Sequence, residues 1–315
     1  MPSWRVGHPT MVRAGVLVPC PTGGGGSRHD GHDDAADRSG DAPPVRLAAF
    51  DADGVPTMGV VEGPMIRPLG PVEAFYADVD GSLARAAHLP SDALVLADLE
   101  CVLPVPATSR VLCVGLNYRS HADEANEALP AAPNVFARWA STLVVGDTPV
   151  PVPPREDGLD WEGELAAVVG RPLLNATVAQ ARAAILGYTC FNDLSARTFQ
   201  MAVSQWTLGK NADRSGPIGP VIVTQDELPN VDALLLETRV NGETVQSAKT
   251  DQMIFQPDDV LAYASGSLTL QPGDVLATGT PEGVGFLRTP PRLLHAGDSV
   301  EVEIESIGTL RTPIV

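Results

Sequence analysis

Two acidic residues two positions apart, Glu162 and Glu164 in Asp160-Trp161-Glu162-Gly163-Glu164-Leu165, carry the clearest chemical signal in the chain. On a β-strand, residues i and i+2 share a face. Carboxylates so placed repel each other unless water or a cation lies between them. The next residues, Leu165-Ala166-Ala167-Val168-Val169, are apolar, so the strand runs into a core. Paired acids at a core edge suit a hard divalent cation, and Asp193, in Phe191-Asn192-Asp193, offers a third oxygen ligand. A solvated strand end with two acids is the alternative that these residues alone leave open.

Three further groups could do chemistry. In His121-Ala122-Asp123-Glu124, positions i and i+3 of a helical turn are neighbours, so Glu124 can hold one ring nitrogen of His121. The other nitrogen is then free to act as a general base. An isolated His-x-x-Glu also describes an ordinary polar turn. Of the 21 basic residues only Lys210 and Lys249 are lysine, so a lysine here is chosen for its own chemistry more often than usual. Lys210 follows Gln205-Trp206-Thr207-Leu208-Gly209 and offers a compact positive charge for a developing enolate. Lys249 has no such setting and reads as a surface residue. Thr278-Gly279-Thr280-Pro281-Glu282-Gly283-Val284-Gly285 is a glycine-rich turn, but it lacks the Gly-Lys-Ser/Thr of a phosphate loop. There is no Gly-x-Ser-x-Gly elbow.

The elements that must position these groups are mostly short. Residues 1–43 are rich in Gly, Pro, Asp and Ser, and are expected to be a disordered tail. Its His29/Asp30/His32/Asp33/Asp34 cluster is read as solvated, and the apolar stretch after Arg13 is too short for a secretion signal. Residues 44–106 are expected to form a small N-terminal α+β domain. It opens with a hairpin turning at Asp51-Ala52-Asp53-Gly54 and holds a helix over 80–87, with Pro104 and Pro106 as linker. Residues 107–315 are expected to form the catalytic domain. A buried strand lies at 111–115. Thr177 caps a helix through about Ile185, which Gly187 ends, and a strand over 188–191 delivers Asp193. From about 217 onward, short Val/Leu/Ile-rich segments alternate with Gly, Pro and Asp turns, which indicates a β-rich roll or sandwich.

Composition excludes several classes of function. The chain has 315 residues, 44% hydrophobic, with a mean hydropathy of +0.05, enough for a sizeable core. No apolar run is long enough to span a membrane. A net charge of −18 and a pI near 4.6 oppose nucleic-acid binding. Four scattered cysteines, with no Cys-x-x-Cys pair, argue against a zinc ribbon and fit a reducing compartment, read as cytoplasmic.

Taken in order, the motifs resemble the fumarylacetoacetate hydrolase superfamily, in its prokaryotic group of acylpyruvate hydrolases, oxaloacetate decarboxylases and 2-oxo-acid isomerases. They are Val114-Gly115-Leu116-Asn117-Tyr118 with His121, Asp160-x-Glu162-x-Glu164-Leu165, Asn192-Asp193-x-Ser195-Ala196-Arg197 with Gln200, Gln205-Trp206-x-x-Gly209-Lys210, and Pro272-Gly273-Asp274 leading to Thr278-Gly279-Thr280-Pro281-x-Gly283-Val284-Gly285. The resemblance covers about 110–315 strongly and 45–104 loosely. It implies an α+β, β-rich fold of mixed β-roll type, a homodimer, and Mg2+ or Mn2+ held by Glu162, Glu164 and Asp193. It implies His121 and Glu124 on a lid, and Lys210, Gln200 and Thr280 against the substrate. Tyr118 and Arg138 are further substrate-contact candidates. Two departures stand out: Ala212-Asp213 replaces the usual Phe-Asp, and Phe136-Ala137-Arg138-Trp139 lies where relatives carry a lysine.

The expected reaction begins with a 2-oxo acid chelated to the metal, its keto group serving as an electron sink. The first expectation is hydrolysis of a 2,4-dioxo acid of the acylpyruvate or fumarylpyruvate type, with water activated by His121–Glu124 and the pyruvate enolate stabilised by metal and Lys210. The alternatives are decarboxylation of an oxaloacetate-like acid, or tautomerisation of a 2-oxo-enoic acid. A non-catalytic metabolite-binding role is the reading from a different class.

Overall fold

The computed structural model describes residues 45–89, 92–228 and 230–315. The expectations for the tail, including its His/Asp cluster and its apolar stretch, lie outside the described residues.

The chain begins with three strands, β1 (Arg46–Ala52), β2 (Val55–Glu62) and β3 (Met65–Pro71), then two helices, α1 (Val72–Ala77) and α2 (Val79–Ala86). Two short strands follow, β4 (Leu94–Val95) and β5 (Cys101–Val102). Next come β6 (Arg110–Gly115), α3 (Arg119–Ala125), β7 (Asn134–Trp139), β8 (Leu143–Val145), β9 (Gly163–Val169), α4 (Val178–Ala184) and β10 (Ile185–Asn192). The short helices α5 (Arg197–Met201) and α6 (Thr207–Lys210) lead to β11 (Gly216–Thr224), β12 (Leu235–Val240) and β13 (Glu243–Lys249). Helix α7 (Pro257–Ser265) and strands β14 (Val275–Ala277), β15 (Ser299–Ile304) and β16 (Gly308–Pro313) complete the chain.

Local signals are obeyed where they are local. The β1–β2 hairpin turns at Asp53-Gly54, both at positive φ, as a two-residue hairpin loop requires. Thr177 caps α4 through a reciprocal pair with Gln180. Gly187, expected to end that helix, instead lies inside β10, which begins as soon as α4 stops. A Cβ there would come within 2.2 Å of the Val223 carbonyl oxygen on the neighbouring strand, so the glycine admits a close strand rather than capping a helix.

The strands form a twelve-stranded mixed sheet in the order β4-β3-β2-β1-β11-β10-β9-β14-β6-β7, with β5 beside β1 and β8 beside β11. A four-stranded sheet, β13-β12-β15-β16, packs against it. The stretch expected as a separate N-terminal domain is continuous with this sheet: Arg46 and Leu47 of β1 pair with Val223 and Ile222 of β11. Pro104 and Pro106 therefore lie on a connection within one unit that extends to the last residue. The shared core takes Leu165, Ala167 and Val169 from β9, with Leu236, Val302 and Ile304 from the smaller sheet. Among the described residues no helix is long and apolar enough to cross a membrane, and Cys101, Cys113 and Cys190 are free thiols.

Register brings the chemical residues together. Strands β6, β10 and β14 end, and the antiparallel β9 begins, at one edge of the sheet. Phe191 is opposite Glu164, Asn192 opposite Gly163, Ala277 opposite Ala166, and Cys113 opposite Ala277. The loops leaving those strands must meet there.

Candidate active site

At that edge lies a cleft of about 380 Å³ whose lining includes His121, Glu162, Arg197, Gln200, Lys210 and Thr280. Its base is acidic. Glu162, Glu164 and Asp193 are buried, and one carboxylate oxygen from each lies within 4.8 Å of the others. Glu162 is fixed by its own backbone: its N–H donates to Asn192 Oδ1 at 3.0 Å and its carbonyl accepts from Asp193 N–H at 2.9 Å. Gly163 between the two glutamates is forced by packing, since a Cβ there would be 2.1 Å from Thr238 Oγ1.

Each carboxylate has protein donors. Lys210 Nζ bridges Glu162 Oε2 at 2.6 Å and Asp193 Oδ2 at 2.7 Å. Arg138 Nε donates to Asp193 Oδ1, and Arg197 Nη2 reaches Glu162 Oε1 at 2.7 Å. Asp160, fully buried, holds Arg197 through Nε at 2.8 Å and Nη2 at 2.6 Å, and accepts from the N–H groups of Gly285 and Phe286. That makes four carboxylates around three fixed cations. Glu164 has no basic partner among the described residues; it accepts only the Gly279 N–H, at 2.8 Å.

The protonation tendencies follow. Burial, reinforced by Asp193 and Glu162, pushes the Glu164 carboxyl well above the usual range. Burial also opposes charge on Glu162, but Lys210 and Arg197 outweigh it and hold its carboxyl down at about 2. For Lys210, burial disfavours the ammonium, yet Asp193 and Glu162 raise its pKa, so it stays charged. A buried acid facing two carboxylates without a cation of its own is what a hard divalent ion would satisfy, and the all-oxygen donor set suits Mg2+ or Mn2+. The residues present fit such an ion.

Above the acids, His121 Nδ1 lies 3.1 Å from Glu124 Oε2. Glu124 is itself held by the Gly283 N–H, at 3.1 and 3.2 Å to its two oxygens, which ties α3 to the glycine-rich loop. Thr280 Oγ1 donates to the Gly163 carbonyl at 2.9 Å and accepts from Gln246 Nε2 at 2.8 Å. Gln200 Oε1 accepts from Arg197 Nη1 at 2.7 Å, which leaves its amide NH2 toward the cleft. Thus His121, Glu124, Lys210, Gln200, Thr280 and the three acids do gather at one place.

Two candidates do not face the cleft. Tyr118 is fully buried in the core with Leu112, Leu165 and Met253, and its hydroxyl has no partner. It is a packing residue at the N-cap of α3. Arg138 is 2% exposed, and its guanidinium also donates to the Leu194 carbonyl at 2.7 Å and Ser215 Oγ at 3.0 Å. It braces Asp193 from behind and has no path to a substrate. Sequence reasoning gave no role to Asp160, Arg197 or Gln246. The conspicuous Asp160 two residues before Glu162 was a signal for the first; Gln246 on the other sheet left none. A larger apolar cavity of about 570 Å³, lined by Val55, Pro71, Leu103 and Leu143, lies away from the acids.

Residues 110–315 match the fumarylacetoacetate (FAA) hydrolase C-terminal family. The chain belongs to that family. It is 41% identical over 234 residues to human oxaloacetate tautomerase FAHD2A, mitochondrial, covering 74% of each chain. A crystal structure of a Mycobacterium marinum 2-hydroxyhepta-2,4-diene-1,7-dioate isomerase superimposes with a TM-score of 0.71 at 33% identity, covering 86% of this chain and 98% of that one. The fumarylacetoacetate hydrolase of psychrophilic Exiguobacterium antarcticum superimposes with a TM-score of 0.73 at 33% identity, over 86% and 99%. The β-rich fold is that of the family, whose enzymes usually bind a divalent metal, and the chain carries the buried acid triad such an ion needs.

Proposed function

We propose that the protein is a divalent-metal-dependent tautomerase of 2-oxo acids, moving a proton between C3 and the 2-oxo oxygen. The observation that carries this reading is that an oriented His121 and a charged Lys210 line one cleft directly over the acid triad. Relatives named as an oxaloacetate tautomerase and a dienedioate isomerase support proton transfer over the C–C hydrolysis expected from the motifs. The dyad itself serves either reaction.

Glu162, Glu164 and Asp193 would hold the ion, Mg2+ or Mn2+, which supplies a Lewis acid for the substrate's carboxylate and 2-oxo oxygens. The chain's own residues do the rest. His121, its Nδ1 proton held by Glu124, takes the C3 proton on Nε2 as the C2=C3 bond forms and charge moves to the 2-oxo oxygen. Lys210 keeps its proton and stabilises that charge. Return of the proton to the oxygen completes the enol, and the reverse sequence gives the keto acid. Gln200 and Thr280 border the same space and orient the acid. Phe136, Trp206, Val284 and Leu287 supply the apolar part of the cleft wall.

The exposed apolar side chains Met201, Leu208 and Trp139, on α5, α6 and the end of β7, support the homodimer that the resemblance implied. The enzymatic reading is tested by following the ultraviolet absorbance of a 2-oxo acid enol with Mg2+, for wild type and His121→Gln. Wild type should accelerate enol–keto conversion and the variant should lose most of that; no acceleration by wild type would end the proposal.

A further inference from the structure

The two permanent cations of the cleft gather on its acids. Its cations among the described residues are Lys210, Arg197 and the ionisable His121. Lys210 lies on Glu162 and Asp193, at the end that would hold the 2-oxo acid head. Arg197 is the one side chain that could receive a second carboxylate, and four of its five N–H donors are already engaged. Nε and Nη2 are on Asp160, Nη2 is also on Glu162, and Nη1 is on Gln200. One face of the guanidinium is covered by the Phe286 ring, 5.8 Å from its centroid. Asp160 in turn is held by two backbone N–H groups, so Arg197 cannot turn toward a ligand without stranding a buried acid.

Apart from the uncharged polar side chains of Asn134, Gln200 and Thr280, most of the rest of the wall is apolar. Phe136 and Trp206 meet edge to face at 5.4 Å, and Met201, Val284 and Leu287 line the same space. The position of Trp206 is enforced, because a Cβ on Gly115 would be 2.4 Å from its ring. At the rim Glu127 adds a negative charge. A volume of about 380 Å³ is also far more than a four-carbon diacid fills.

We infer that this cleft selects 2-oxo acids whose far end is uncharged and apolar, an aryl or branched alkyl group, over dicarboxylates such as oxaloacetate. A second carboxylate would be desolvated against aromatic rings with no unpaired cation to receive it, since Lys210, Arg197 and His121 each already face a carboxylate, whereas an apolar group gains the burial. The inference deepens the tautomerase reading, but recognition can be measured without turnover.

The full chain, loaded with Mg2+, is titrated calorimetrically with two inert analogues that keep the 2-oxo acid head: N-benzyloxamate, with an apolar arm, and N-oxalylglycine, with a charged one. The apolar analogue should bind at least about tenfold tighter, the discrimination expected when one ligand leaves a charge unpaired in an apolar wall. Leu287→Arg places a cation on that wall and should reverse or erase the preference, with a melting curve to check that it folds. Equal binding, tighter binding of N-oxalylglycine, or binding of neither would overturn the inference. The preference with no keto–enol turnover of phenylpyruvate or oxaloacetate would instead leave the selectivity standing and remove the tautomerase reading. With turnover intact, kcat/KM should favour phenylpyruvate over oxaloacetate by at least about tenfold.

Discussion

Replacing Arg138 by Met separates a structural brace from a substrate contact. The guanidinium is buried and donates to Asp193, the Leu194 carbonyl and Ser215. Methionine keeps much of the apolar stem but removes every donor. Asp193 keeps Lys210, Ser215 keeps its bond to the Ala212 carbonyl, and Leu194 loses its donor. Removing one partner of a buried ion pair costs roughly 3–5 kcal/mol, and the surviving Lys210 contact argues for the lower end, about 3 kcal/mol. For a chain of this size that lowers the melting temperature by roughly 5 °C. Circular-dichroism melts with and without Mn2+ read this directly, and the stabilisation by Mn2+ should shrink because Asp193 is no longer held. Arg138→Lys restores charge without the planar fork and should fall between the two. A variant that melts with wild type, keeps its Mn2+ response and changes only KM would refute the reasoning and return Arg138 to the substrate.

Other consequences follow from the same geometry. Arg197, the Gly279 N–H and Arg138 each engage one oxygen of Glu162, Glu164 and Asp193, and Lys210 shares the second oxygen of Glu162 and Asp193, which disfavours two-oxygen ligation and favours a small octahedral ion. Mg2+ and Mn2+ should therefore raise the melting temperature more than Ca2+ at equal concentration; an equal rise with Ca2+ would contradict this. His121→Gln should lower kcat by roughly 10²–10⁴-fold while melting with wild type, since His121 is held in the described structure mainly by Glu124. A smaller loss is expected for Glu124→Gln, measured in the same enol assay. Gly163→Ala drives a methyl into Thr238 Oγ1 between the two triad glutamates, so it should weaken Mn2+ binding at least about tenfold by calorimetry, as well as destabilising the fold.

Much of this site is legible in the sequence because its signals are local or rare. Two acids entering an apolar strand, one of only two lysines, and a helix cap at Thr177 each declare themselves within a few residues. What was not legible depends on pairing between distant residues. Gly187 sits just after a helix and reads as its stop, but its reason is the Val223 backbone on another strand. The N-terminal hairpin reads as a domain until β1 is seen to pair with β11. Arg138 shares a strand face with Phe136, which does line the cleft, and only the packing puts it one repeat further from the mouth, against Asp193. The engagement of Arg197, on which substrate choice turns, needs Asp160, the Gly285–Phe286 backbone and Gln200 in place together.

The most direct test of the central claim is proton NMR of phenylpyruvate in D2O with the Mg2+-loaded protein. The C3 protons should exchange for deuterium much faster than in the protein-free control, with the carbon skeleton intact and the effect lost in His121→Gln. Appearance of C–C cleavage or decarboxylation products at the rate of exchange, or exchange no faster than the control, would contradict it.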